Sequence, residues 1–529
     1  MIFVALVLPD RLDRLVPEAF VVAPIELVLG AAVLLALPPA PRRVLGWLLG
    51  AALGLLTVLK LVDLGFSAAL GRPFDPVLDI GLLGDAVRLL VASAGPPVQA
   101  GAAIGAVAMM VAVVAGVLAA VLRAAGAAVA RRTAASWLVC VGTAGWLLLS
   151  SADVRLEPDL PLASDAASAM AFGRVVGIGR GLGDRARFER EASADAYADV
   201  SSDRLLTALR GKDVALVFVE SYGRSAIEDP GLAPRIDGLL DDGTRRLAAA
   251  GIGARSGYLT SPTAGGGSWL AQSTLLSGVR IDNQQRYREL VAGDRLTLVG
   301  AFARAGWRTA AVAPGTTRPW PESRFFGYQR VHDEAHLGYR GPSFSWSAMP
   351  DQYTLAEFER SERAPGHRPV MAVVPLTSSH APWTPVPPLI DWGSVGDGSA
   401  YDGMAAPALP PEAILTRDRD QVRADYVRAL GYSLQTLTSY ADRFGGDDLV
   451  LILVGDHQPS PVVTGDRAGH DVPVSVVAKD PAVLARIGSW GWTTGLRPAD
   501  DAPVWRMEEF RDRFLAAFDD GPRPAGSHR

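Results

Sequence analysis

Cysteine is almost absent: Cys140 is the only one in 529 residues, which excludes an intrachain disulfide. Lysine is nearly as scarce, confined to Lys60, Lys212 and Lys479, while arginine is plentiful. By association, that bias suggests a high-GC bacterial genome. Strong charge of either sign is missing as well. A formal net charge of −5 leaves no basic footprint and argues against a nucleic-acid partner. Internal repeats are absent too. What the chain does have is an uneven spread of apolar residues, which make up 49% of it. Residues 1–152 are strongly hydrophobic, and the remainder reads as a soluble globular chain.

Within the apolar part, four segments approach the roughly 20 residues needed to span a bilayer: Ala19–Leu37, Val44–Phe66, Val98–Leu122 and Ser136–Ser151. Arg42 and Arg43 separate the first two, and Arg123, Arg131 and Arg132 the last two. The positive-inside rule puts both loops in the cytoplasm, and everything after Ser151 outside. An even number of spans also puts the N-terminus outside. Met1–Leu8 is apolar but too short to cross, and reads as the stump of a fifth span. Pro76–Ala94 carries Asp79, Asp85 and Arg88, at about 2.5–3.5 kcal/mol each in mid-bilayer. It reads instead as an amphipathic helix in the outer interface. Glu26 and Lys60 lie at similar depth in the first two spans and are expected to pair, with Asp63 competing for Lys60.

Residues 153–204, rich in Ala, Asp, Arg and Gly, read as a linker. From residue 205 to 519, apolar strand-like runs alternate with amphipathic helices. The expected fold is α/β, a mostly parallel sheet sandwiched by helices and preceded by a helical transmembrane domain. Strands are expected at Asp213–Val219, Thr309–Val312, Val370–Val374, Leu449–Val454 and Pro473–Val477. Helices are expected at Pro234–Ala249, Leu296–Ala305, Gln352–Arg363, Gln421–Phe444 and Met507–Phe518. Pro385–Pro411 reads as a long surface loop, and residues 520–529 as a disordered tail.

Ligands of open α/β sheets bind beyond the carboxyl ends of the strands. Glu220 follows the first strand directly, and Asp456 and His457 follow the fourth. Ser268 heads Ser268-Trp-Leu-Ala-Gln-Ser-Thr-Leu-Leu-Ser-Gly278, after the flexible run Pro262–Gly267. Two carboxylates, an imidazole and a hydroxyl can converge on one divalent metal, which would turn the hydroxyl into a nucleophile at neutral pH. Mixed oxygen and nitrogen ligation suits Mn, Zn or Mg. Ser268 is also placed to cap its helix, and Thr263 is the alternative nucleophile. His380 follows the Val370–Val374 strand into the same crevice, where it could protonate a leaving oxygen or bind a non-bridging one. Asp351 reads as a helix cap, and His332, His336, His367 and His528 as surface residues. Trp490 and Trp492 read as structural packing.

The region from about Asp213 to Phe518 resembles the alkaline-phosphatase-like superfamily of sulfatases, phosphoethanolamine transferases and lipoteichoic acid synthases. The resemblance rests on Ser268 ahead of Leu275-Leu-Ser-Gly278, on Glu220, and on the pair Asp456-His457. It implies a metal site of Glu220, Ser268, Asp456 and His457, with substrate-site histidines at His380 and His470. The stretch Gly315–Trp320 through Tyr328 is similar to a head-group-binding stretch of the synthases, so Arg318, Trp320 and Arg324 become candidate substrate contacts. Glu322 stands where that stretch has an arginine. The residues after Ser268 are Trp269, Leu270, Ala271 and Gln272, so the x-Pro-x-Arg signal for formylglycine conversion is missing. With one cysteine, the chain also departs from the disulfide-stapled phosphoethanolamine transferases. The resemblance implies phosphoryl-group transfer through a covalent Ser268 phosphoester, with a membrane-lipid donor and an envelope-glycan or lipid acceptor. The catalytic domain of such a multi-pass protein is expected on the outer face of the bacterial plasma membrane. The competing expectation is simple hydrolysis of a sulfate or phosphate ester.

Overall fold

The structure is a computed structural model. It describes residues 1–11, 14–70, 73–75, 96–157, 160–344, 349–383, 385–405, 417–465 and 468–519. The chain divides into two compact units, Met1–Arg185 and Ala186–Arg529.

The first unit is helical: α1 (Ile2–Val7), α2 (Ile25–Ala36), α3 (Pro39–Leu70), α4 (Pro96–Ala130), α5 (Arg132–Ser151) and the start of α6 (Ala166–Ser193). Among the described residues, three stretches are long and apolar enough to cross a membrane: Pro39–Ser67, Gly105–Ala130 and Arg132–Ser151. The expected first span falls short. Pro24 has no N–H to give, and α2 begins only after it with 12 residues, about 18 Å of helix against a hydrocarbon core of about 30 Å. The expected interfacial helix at Pro76–Ala94 lies outside the described residues.

Glu26 and Lys60 do not pair. The Glu26 carboxylate accepts from the amide and hydroxyl of Ser168, at 2.7 and 2.9 Å, in the first turn of α6. Lys60 Nζ donates to the carbonyls of Leu6 and Ala5, at 2.7 and 3.3 Å, at the end of α1. Helix ends explain the exchange: free N–H groups attract the acid and free carbonyls the cation. Asp63 does not compete for Lys60 but pairs with Arg174. The expected linker is mostly helix as well, since α6 runs for 28 residues.

The second unit is built on a nine-stranded sheet. Its strands are β1 (Asp213–Val219), β2 (Gly253–Thr260), β3 (Arg308–Ala313), β4 (Arg330–Asp333), β5 (Val370–Pro375), β6 (Leu449–Gly455), β7 (Asp471–Ala478), β8 (Thr493–Thr494) and β9 (Val504–Arg506). The order is β8-β2-β7-β6-β1-β5-β3-β4, with β9 also on the outer edge of β2. Only β7 and β8 run against the rest. Helices cover both faces: α7 (Ala233–Ala249), α8 (Ser268–Ser277), α9 (Leu298–Arg304), α10 (Asp351–Glu362), α11 (Arg419–Phe444) and α12 (Glu509–Phe518).

The central strand β1 is buried along its whole length, as a strand with both faces covered must be. Val214, Leu216 and Phe218 pack with Leu275, Phe302 and Phe514 of α8, α9 and α12. Ala215, Val217 and Val219 pack with Ile236, Leu355 and Leu430 of α7, α10 and α11 on the other face. The period of two along β1 thus serves two cores. β1 and β6 lie parallel and in contact, Val219 beside Gly455, so the residues after both emerge at one point. Trp490, Trp492 and Trp505 pack edge-on or tilted against one another with ring centroids 4.8–5.1 Å apart, which accounts for them as packing.

Candidate active site and metal centre

Glu220 leaves β1, and Asp456 and His457 leave β6. Oxygen and nitrogen atoms of these three buried residues lie within 4.8 Å of one another. The close approach depends on Gly455, where a Cβ would sit 1.9 Å from the carbonyl oxygen of Tyr222. Ser268 opens α8 beside them. Its hydroxyl donates to Glu220 Oε2 at 2.9 Å and lies 3.0 Å from His457 Nε2.

His457 Nδ1 is 2.8 Å from the Gln458 carbonyl. A carbonyl can only accept, so Nδ1 carries a proton and, in the neutral ring, Nε2 presents its lone pair to the site. Glu220, Asp456 and His457 then turn toward one point, and the hydroxyls of Ser268 and Ser221 donate to the two oxygens of Glu220. A divalent cation neutralises such a donor set, and the residues present fit one. The charges agree. Burial and the neighbouring Glu220 push Asp456 well above the usual carboxylate range. Burial opposes ionisation of Glu220, but the adjoining His457 and His380, with hydrogen bonds from Asp456 and Ser221, draw it down to about 2.

Ser221, which the sequence reading passed over, ties this cluster together. Its amide donates to Asp456 Oδ1 and its hydroxyl to Glu220 Oε1, while its carbonyl accepts from the Tyr426 hydroxyl. Asp351 does not cap its helix. Buried, it accepts from the amides of Thr377 and Ser378 and from the Ser433 hydroxyl, and so fixes the loop that leads to His380. On that loop the Ser379 hydroxyl bonds the Glu220 carbonyl at 2.6 Å, and His380 lies near enough to Glu220 to affect its ionisation.

The other candidates sit further out. Thr263 is buried, but its hydroxyl has no hydrogen-bond partner among the described residues; only Ser268 reaches Glu220 and His457. His470 is exposed and contacts the Ser261 carbonyl at 3.3 Å, while Ser261 in turn bonds the Asp456 carbonyl. Trp320 packs on Phe326 and Tyr328. Arg318 and Arg324 are exposed, and neither they nor Trp320 contact the Glu220 cluster among the described residues. His332 and His367 are more than surface residues: each is 2.7 Å from a buried acid, Glu362 and Asp213 respectively.

The Sulfatase family profile matches residues 212–473, a range that holds Glu220, Ser268, Asp456 and His457. The chain carries a sulfatase-family domain. It is an enzyme of phosphoryl or sulfuryl ester chemistry. No curated protein matches the chain. Among solved structures it is similar to the lipoteichoic acid synthase LtaP from Listeria monocytogenes, at 14% identity over 64% of this chain and 79% of that one, TM-score 0.38. It is also similar to the C-terminal periplasmic domain of EcEptC from Escherichia coli, at 15% identity over 58% and 82%, TM-score 0.38. A third is the Streptococcus pyogenes phosphoglycerol transferase GacH, at 11% identity over 62% and 89%, TM-score 0.35. In this domain the candidate nucleophile Ser268 is followed by Trp269, Leu270, Ala271 and Gln272, without the x-Pro-x-Arg formylglycine signal.

Proposed function

We propose that the sulfatase-family domain transfers a phosphoryl-linked group from a membrane lipid to an envelope glycan or lipid acceptor, through a covalent Ser268 phosphoester. The observation that carries this reading is the Ser268 hydroxyl at the head of α8, bonded to Glu220 and within reach of His457. Glu220, Asp456, His457 and Ser268 would hold one divalent ion, Mn, Zn or Mg, whose charge would lower the pKa of the hydroxyl.

Ser268 Oγ forms the new bond to phosphorus as the bond to the diacylglycerol oxygen breaks. The leaving alkoxide takes up one proton, equivalent to the one Ser268 gives up, and His380 would be the residue that delivers it. In the second half, an acceptor alcohol attacks phosphorus, loses its proton, and Ser268 leaves as a hydroxyl. The N-terminus of α8 favours the anionic ester held at Ser268. The three membrane-length helices suit a lipid donor, with the catalytic domain on the outer face of the bacterial plasma membrane.

The test is intact-mass and peptide-mass analysis of the full chain after incubation with candidate phospholipids and an acid quench. The expected result is an added phosphodiester mass on the peptide containing Ser268, and the mass names the group. A chain that turns lipid over without ever acquiring mass would overturn the covalent reading. Transfer to water alone would make it a hydrolase.

A further inference from the structure

Arg295 lies in the loop leading into α9 and is buried. Each hydrogen bond it makes among the described residues ends on a backbone carbonyl. Nε donates to Ser277 at 2.6 Å and Nη2 to Gly278 at 3.4 Å. Nη1 donates to Glu191, Ala192 and Ala194 at 3.3, 2.8 and 2.9 Å. Asp195 is engaged elsewhere, in a two-pronged pair with Arg511. Burial and the neighbouring Arg511 pull Arg295 down to about 10, so it remains charged at neutral pH.

The carbonyls it binds are the ends of two helices. Glu191, Ala192 and Ala194 close α6, and Ser277 and Gly278 close α8, the helix that Ser268 opens. The last carbonyls of a helix have no partner within it and concentrate partial negative charge. A buried guanidinium whose charge is met by two helix ends links them energetically, because withdrawing either end leaves the cation under-solvated. The planar fork of arginine can serve both ends at once, which a lysine ammonium cannot. Gly278 is held from a second side. It has a left-handed φ of +69°, and a Cβ there would lie 2.6 Å from Arg511 Nε.

We propose that Arg295 is a positioning residue for Ser268: it fixes the nucleophile helix to residues 191–194 at the end of α6 and so holds Ser268 in line with Glu220 and His457. The inference rests on Ser268 being the nucleophile. α8 is a ten-residue rod, so a shift at Gly278 is carried to Ser268, and a 1 Å misplacement at a reacting centre can cost about 100-fold in rate.

The test uses the full chain with Arg295→Ala and Arg295→Lys. Both should slow formation of the Ser268 adduct by about tenfold or more while the bound metal stays stoichiometric. Added guanidinium should recover part of the rate in Arg295→Ala. Amide exchange should rise together at residues 188–195 and 274–279 in both variants. Exchange that rises at one helix end alone, or adduct formation within about twofold of wild type, overturns the proposal. A wild-type chain that forms no adduct removes the nucleophile reading instead, while the exchange pattern still decides whether Arg295 couples the two helices. If the alanine variant does not fold, the lysine variant supplies both measurements.

Discussion

The backbone amide of Ser221 donates to the Asp456 carboxylate at 2.8 Å from a left-handed conformation, φ +57°. Two neighbouring strands end here, and Ser221 turns the chain back so that its amide crosses from one to the other. A non-glycine residue held in this region stores about 1–3 kcal/mol of strain, kept in place by the contacts around it.

That strain makes Ser221 a sensitive position. Ser221→Val, with a β-branched side chain at positive φ, should lose about 1–3 kcal/mol of stability together with bound metal. Ser221→Gly relaxes the backbone and keeps the amide, so it should bind metal more tightly than the valine variant. Denaturant melts with elemental analysis decide it. Equal metal loss in both would mean that the hydroxyl bond to Glu220 outweighs the backbone.

Ser268→Ala should abolish turnover and adduct formation while leaving the fold intact, since its hydroxyl bonds only site residues, Glu220 and His457. Near-native activity in this variant would return Thr263 to consideration.

Asp456→Asn and His457→Ala should each lose metal and activity together. Because Asp456 is pushed up by burial and by Glu220, metal must displace a proton, and its affinity should rise with pH. Calorimetric titration at two pH values checks the sign. Full occupancy in either variant would contradict the ligand assignment.

Asp195 and Arg511 form a buried pair at 2.9 Å. Burial raises the Asp195 carboxyl, but the Arg511 charge and hydrogen bonds outweigh it, and the net shift is downward. A depressed folded pKa stabilises above the ordinary aspartate value, near 4, and the benefit is lost as pH falls through the folded value. Asp195→Ala should therefore cost about 3–5 kcal/mol at pH 7 and progressively less below about pH 4. Urea melts at both pH values measure this. A pH-independent gap would count against the pair.

Sequence pattern located the central strands because β1 and β6 are continuous apolar runs with nothing polar to interrupt them. It missed β2, whose Gly253-Ala-Arg-Ser-Gly257 start has little strand propensity. β2 is secured by position instead: Ser256 bonds Ser475 at 2.7 Å, and β7 pairs along its length. It read α6 as a linker because five glycines, Gly173, Gly177, Gly179, Gly181 and Gly183, each disfavour a helix by about 1 kcal/mol. Glu220, Ser268, Asp456 and His457 were legible because chemistry demands those side chains at strand and helix ends. Ser221, Asp351 and Arg295 were not, because they act on backbone amides and carbonyls, and no residue-type pattern shows where those groups will meet.

The lone thiol has a practical consequence. Cys140 is exposed on α5, nine residues into a helix that starts at Arg132, about 12 Å along its axis. Any sulfhydryl-directed probe therefore reports a single known position on α5 without the background of other cysteines. A spin label there would be relaxed by oxygen dissolved in lipid if α5 crosses the bilayer, and by aqueous nickel chelates if it does not. The wild-type chain can thus be measured against its own membrane without first being stripped of cysteine.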